Sequence, residues 1–406
     1  MKKKNLLIKN IIQKKYLNSK LKKKFSIKFK KIINKIETSI DSPSQIYSIL
    51  NKDFKFDFDI QNLKKFKKFK TVALIGMGGS ILGSEAIYNF LNIKIKKKFY
   101  FFDNIDEKKL SIFKKEFNLN KVLFLVISKS GNTVETLSNF LFLNIIKKNQ
   151  KNIILISEKK NNVLFNLSKK YNLFYIEHKN FIGGRYSVLS EVGIVPAYIM
   201  GLNIIKLRKN IRIHLIKKEE KVILKDSTIK LANILFQKKI SNLIFLNYSP
   251  ELVKLLEWTQ QLIAESLGKK GKGFLPFISS APKDHHSLLQ LYLDGPRDKL
   301  FNIFSIEEKS EKNINSKKFT NQINYLNNKS LNKIKIAQKN ALIKSLINNK
   351  IPYREFKIKQ IDEETIGELF SYFMLETIII GKLIDLNPFN QPAVEQVKKD
   401  TIKILN

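Results

Sequence analysis

From about residue 68 onward the hydrophobic pattern changes period. Short runs rich in Val, Ile, Leu and Phe (TVALIGMG, KKFYFFDN, KVLFLVIS, NIILISE and LFYIEH) alternate with stretches of helical spacing (SEAIYNFL, DEKKLSIFKKEF, VETLSNFLFLNIIKKN and NNVLFNLSKKY). Runs that are apolar without alternation suit strands buried on both faces, and the helices between them supply the crossovers of a parallel sheet. One doubly wound domain is therefore predicted over residues 68–205. The pattern then repeats with different lengths. A helix in DSTIKLANILFQKK leads to the strand SNLIFLNYS and the long helix ELVKLLEWTQQLIAESLG. The strands LFNIFSIE and YREFKI follow, with a helix near residues 328–348 between them, and a long helix over residues 363–386. This predicts a second α/β domain over residues 220–387. An NPFNQP break then leads into a C-terminal helical arm, residues 388–406, with its helix around residues 393–405. Residues 1–67 carry a mostly polar, basic helical pattern and end in the KKFKKFK run, read as a solvated approach to the first strand. The basic stretch over residues 307–328 is expected to be mobile.

Composition narrows the function classes. Hydrophobic residues are 43% of the 406, ample for a buried core, which excludes collagen-like and wholly disordered chains. With no cysteine there is no disulfide, thiolate metal site or Cys nucleophile. His178, His214, His285 and His286 show neither HExxH nor HxxxH spacing, so no zinc site is expected. The N-terminus opens with lysines, but Lys, Asn and Gln interrupt it before any signal-peptide core forms. The longest membrane candidate, FSYFMLETIIIGKLIDL, carries Glu376, Lys382 and Asp385. A soluble, cytoplasmic protein with no membrane partner is expected.

The net charge of +40 has two readings. A nucleic-acid binder would cluster its basic residues and interleave aromatic or Arg readers among them. Here lysine is spread through every segment, Arg is scarce and no nucleic-acid motif is visible. The surplus is therefore read as compositional, with no specific nucleic-acid partner. A positive field would still favour a small anionic substrate.

Two corners carry the candidate chemistry. The first strand ends in IGMGGSILG, where glycines let backbone N–H groups approach a phosphate at a helix N-terminus. A dinucleotide fingerprint fails because Ile81 stands where its third glycine belongs, although Asp103 ends the second strand where a ribose-binding acid would sit. The third strand runs into ISKSGNTVET, with Ser128, Lys129, Ser130 and Thr133 crowded around Gly131. Hydroxyls, backbone N–H groups and a helix N-terminus together suit a phosphate monoester.

These residues carry a resemblance. IGMGGSILG, ISKSGNTVET, FIGGRYSVLSEVGIVP, EWTQQLIAESLGKKGKGFLP, DHHSLLQLYLDG and NPFNQPAVEQVKK stand in the order found in the glucose-6-phosphate isomerase family, from about residue 70 to the C-terminus. The resemblance implies two sugar-isomerase domains, a hexose 6-phosphate substrate, no cofactor and a homodimer with shared active sites. It makes Glu265 the base that moves a proton between C1 and C2 through a cis-enediol, work suited to a carboxylate. Arg185 would hold the enediolate oxygen. His286 would assist ring opening from the other subunit, and is preferred to its neighbour His285 because Ser287, Gln290 and Gly295 then keep register. Lys398 would contact the ring oxygen. Gly79, Ser80, Ser128, Lys129, Ser130, Thr133 and Gln391 would bind the phosphate, and Gln261, one turn before Glu265, the sugar. Asn132 departs from the family pattern, which usually has a small or hydroxylated residue there. Two alternatives stay open: another phosphosugar isomerase, such as one for mannose 6-phosphate, and a sugar-phosphate-binding regulator. The latter would have no need of Glu265, Arg185, His286 and Lys398 together.

Overall fold

The five unbroken apolar runs of the first half become strands of one all-parallel sheet. In the computed structural model, which describes residues 4–307 and 312–406, these are β2 (Thr71–Gly76), β3 (Lys98–Phe102), β4 (Val122–Ile127), β5 (Ile153–Ser157) and β6 (Phe174–Glu177). Their order is β3-β2-β4-β5-β6. Every residue of β4 and β5 is buried, as expected of strands covered by helices on both faces. The second sheet has the order β1-β10-β9-β7-β8, from β1 (Leu6–Ile11), β7 (Asn242–Asn247), β8 (Leu275–Ser280), β9 (Lys299–Ile306) and β10 (Tyr353–Ile358). It is parallel except for β1, which runs antiparallel along β10. The α/β class and the two doubly wound sheets are as the pattern predicts.

Three elements depart from it. LLIKNI at the chain start is a strand, not part of a helical stretch. Its polar residues suit an edge, and Asn10 is satisfied by Asp226, Ser227 and Arg354. LPFISS, without the clean alternation of an amphipathic strand and with a proline inside it, forms β8 at the opposite edge, where a proline in a strand is tolerated. The helix read from VETLSNFLFLNIIKKN stops at Phe142, because Asn144 takes a left-handed conformation with φ of 50°. Of the stretch expected to be mobile, residues 308–311 lie outside the described residues, and the chain beyond them makes two short turns, Ser316–Lys318 and Asn321–Leu326. Among the described residues no helix is long and apolar enough to cross a membrane.

One helix joins the two halves. α1 (Val253–Leu267) packs on α2 (Leu82–Phe90) of the first half and on α3 (Glu363–Leu383) of the second. Its Leu255, Leu256, Trp258, Leu262 and Ile263 are buried, with Trp258 edge-on to Phe370 at 4.8 Å between ring centroids. Gln261 and Glu265, four residues apart, occupy the flank that is left.

The N-terminal strand is locked by a buried ion pair. Arg354 on β10 is fully buried and donates to both carboxylate oxygens of Glu376 on α3, to the Tyr372 hydroxyl and to the Asn10 side chain. Removing one partner of a buried pair leaves the other charge uncompensated. Arg354→Ala is therefore expected to cost about 3–5 kcal/mol, and the milder Asn10→Ala about 1 kcal/mol. Urea midpoints measure both, and equal, negligible shifts would show that the lock does not hold the edge strand.

Candidate active site

The carboxyl ends of β2 and β4 meet the end of α1 around a cleft of about 300 Å³. Its walls include Gly79, Ser80, Lys129, Ser130, Thr133, Gly184, Arg185, Gln261, Glu265, Gln391 and Lys398. The turn after β2 reaches the cleft because residue 79 lacks a side chain. A Cβ on Gly79 would stand 2.2 Å from the Gly184 carbonyl carbon and 2.5 Å from the Arg185 nitrogen. Ser187 spans the same contact, its hydroxyl donating to the carbonyls of Gly79 and Gly184.

The corner after β4 is held internally. Ser128 is buried and shares a 2.8 Å hydrogen bond with the Thr133 hydroxyl, which lies 3.5 Å from that of Ser130. Ser128 therefore stands behind the cleft and fixes Thr133, while Ser130 and Thr133 face it. Thr133 is the N-cap of α4 (Val134–Phe142), but its side chain makes no cap hydrogen bond, so the positive end of the helix has no side-chain acceptor from its own cap. Gly131 has φ of 70°, and a Cβ there would fall 1.8 Å from the Asn162 side-chain oxygen. Asn132 accepts a hydrogen bond from the backbone N–H of Val163, so this departure from the family pattern joins two loops. Lys129 donates to the Asn180 carbonyl and lies 3.6 Å from Glu158. Burial pulls its ammonium below the ordinary lysine pKa.

Glu265 is held at both oxygens. Gln261 donates to Oε1 at 2.9 Å and Arg185 Nη1 to Oε2 at 3.1 Å, with the Glu265 side chain 30% exposed. The Gln261 side-chain oxygen is buried without a partner, an acceptor that a sugar hydroxyl would satisfy. Arg185 is itself buried. Its five N–H groups are all taken: Nε by Ser266, Nη1 by Glu265 and Gln391, Nη2 by the carbonyls of Pro388 and Asn390. Tyr186 donates to the Pro388 carbonyl and Lys269 to that of Asn387. The segment before α5 (Glu395–Leu405) is thus latched onto the end of α1. Lys398, on α5, lines the cleft and pairs with Glu395 at 2.9 Å.

Besides Ser128, His286 is the expected site residue that does not reach this cleft, in keeping with the resemblance, which assigns it to the other subunit's site. It is exposed on the turn Lys283–His286 after β8 and does not line the cleft. His285 is pinned by the Tyr248 hydroxyl at 2.8 Å, and burial lowers its pKa. Five cleft residues escaped the sequence reading: Met77, Glu158, Lys160, Gly184 and Glu395. Glu158 and Lys160 follow β5, and the tendency of ligands to bind beyond strand carboxyl ends would have pointed to them. Among the described residues no group of three His, Asp or Glu side chains could hold a metal ion.

Comparison with known proteins decides the family. A model described as phosphoglucose isomerase matches residues 52–406. The chain belongs to the phosphoglucose isomerase family. The match begins earlier than the motifs, which start near residue 70. A glucose-6-phosphate isomerase of Methanocaldococcus jannaschii is 33% identical over 368 residues, covering 86% of this chain and 87% of that protein. A probable glucose-6-phosphate isomerase of Methanococcus maripaludis is 34% identical over 397 residues, 90% of this chain and 88% of the other. In fold, a hypothetical protein of Thermus thermophilus superposes with a TM-score of 0.83 at 23% identity, over 98% of this chain and 100% of that one. A glucose-6-phosphate isomerase from Chlamydia trachomatis gives 0.71 at 20% identity, over 85% and 71%.

The shape of the cleft depends on the Gly79–Gly184 contact. Gly79→Ala forces the two backbones apart, and overpacking of this kind costs about 1–3 kcal/mol. A lower thermal midpoint together with weakened binding of inorganic phosphate is expected, whereas an unchanged midpoint would show that the turns separate freely.

Proposed function

We propose that the protein interconverts glucose 6-phosphate and fructose 6-phosphate by ring opening and proton transfer, as a cytoplasmic homodimer without a cofactor. The observation that carries this reading is the Glu265 carboxylate, held by Gln261 and Arg185 in the same cleft as the hydroxyls of Ser80, Ser130 and Thr133. The phosphate of the sugar lies at the corner formed by Ser80, Lys129, Ser130 and Thr133, with Ser128 behind it and the Gly79 turn beside it. Gln391, held by Arg185, lines the same cleft. The sugar carbons then extend toward Glu265.

Once the ring is open, Glu265 takes the proton from C2 of the aldose. The C–H electron pair becomes the C1–C2 double bond, and the C1 oxygen gains a proton to complete the cis-enediol. Glu265 returns its proton to C1 while O2 loses its own, which gives the ketose. Gln261 holds the carboxylate through both transfers. Arg185 has no free N–H, so an enediolate oxygen reaches Nη1 by replacing Gln391 or Glu265 there. Lys398 serves the ring oxygen.

His286 enters this scheme from a second copy of the chain. Support comes from exposed apolar groups near it and on the arm. Leu275 and Phe277 on edge strand β8 are 66% and 45% exposed, and Val397 and Leu405 on α5 are 67% and 70% exposed. An open edge carrying apolar side chains favours a partner.

Glu265→Gln keeps the volume and removes the base, so fructose 6-phosphate turnover in a coupled assay should fall by at least about a hundredfold while inorganic phosphate still binds. Retained turnover would remove Glu265 from the mechanism, and product from mannose 6-phosphate alone would overturn the assignment. Mixing inactive Glu265→Gln and His286→Ala proteins should restore activity, because a mixed dimer holds one site with both wild-type residues. Failure to complement, with subunit exchange verified, would place His286 outside the shared site.

A further inference from the structure

The loop after β5 is fastened to the serine-rich corner by backbone and side-chain bonds. Glu158 N–H donates to the Lys129 carbonyl, Leu164 N–H to that of Gly131, and Val163 N–H to Asn132. Asn162 caps its own helix at Phe165 and fills the space beside Gly131. The loop is therefore a fixed wall of the same cleft, and it contributes Glu158 and Lys160. The Glu158 side chain is 10% exposed and pairs with both Lys129 and Lys160, while that of Lys160 is 58% exposed. The cleft walls carry four cations (Lys129, Lys160, Arg185, Lys398) against three carboxylates (Glu158, Glu265, Glu395). Arg185 and Glu265 are bound to each other, as are Lys398 and Glu395. Beside the hydroxyl corner the charges left are two lysines sharing one carboxylate.

We propose that Lys160 is a ligand of the substrate phosphate, and that Glu158 is its positioning residue, keeping the ammonium at the cleft wall until the anion arrives. This rests on the reading that the cleft takes a sugar phosphate. Lys129 is anchored to the Asn180 carbonyl and cannot turn far. Lys160 is held by Glu158 with its stem in solvent, so a short rotation transfers it to a phosphate oxygen. A phosphate dianion outcompetes a single carboxylate for that ammonium, because it offers more charge and three acceptor oxygens. When the product leaves, Glu158 takes the lysine back.

Inorganic phosphate is the probe, titrated calorimetrically into the full-length protein at low salt. Lys160→Ala should raise its Kd about three- to tenfold, the effect of one charge-assisted contact, and raise the KM for fructose 6-phosphate in parallel. Lys160→Arg should restore most of the loss. Glu158→Gln removes the competing charge and should lower the phosphate Kd. These opposite signs separate a ligand pair from a merely structural salt bridge, which would weaken binding in both variants or in neither. An unchanged Kd in Lys160→Ala, or a raised one in Glu158→Gln, overturns the proposal. Wild-type protein that binds phosphate but does not isomerise fructose 6-phosphate would refute the reaction, while the Kd series would still decide the role of Lys160.

Discussion

A single buried guanidinium organises the cleft. Arg185 is shielded from solvent, so each of its N–H groups must find an acceptor, and an unmet one would carry the full desolvation penalty of a charged donor. The acceptors come from two places far apart in sequence: the end of α1, through Glu265 and Ser266, and the segment Pro388–Gln391. Arg185 itself follows the turn that touches Gly79. One side chain thereby fixes Glu265, the arm and the Gly79 turn relative to one another. None of the three can shift far without leaving that charge short of a partner.

The charge of the surface and that of the cleft follow different rules. Outside, lysine outnumbers acid by a wide margin, and the field draws anions in from a distance, more strongly at low salt. Inside, the lining cations exceed the carboxylates by only one. A strongly positive cleft would hold phosphate too tightly for turnover and would pull the basicity of any neighbouring carboxylate down. Near balance avoids both.

The fold was legible where local pattern decides it. Unbroken apolar runs such as VLFLVI and IILIS can only be buried strands, and their spacing by helical stretches leaves little choice but a parallel sheet. What escaped was set by distant pairing. LLIKNI becomes a strand only because Tyr353–Ile358 offers it an open edge, and LPFISS hides behind its proline. At the cleft, the presence of Glu265, Arg185 and the hydroxyl corner was readable from motifs. Glu158 and Lys160 were not, because in a lysine-rich chain EKK looks like any solvated turn. Only the folded loop contacts bring it beside Ser130. That His286 lies away from the cleft of its own chain follows from its place next to an edge strand, a fact of topology that no local spacing encodes.

The pairing of β1 with β10 has a consequence for how the chain is made. Leu6 lies opposite Ile358, so β1 leaves the ribosome long before the strand it pairs with. At synthesis rates of roughly 5–20 residues per second, that delay is on the order of twenty seconds to a minute. Throughout it, a strand with no partner is exposed to other nascent chains. Lys9 and Asn10, which break the apolar run, are the residues that keep such a segment soluble while it waits. The same polarity that disguised the strand in the sequence protects it at birth.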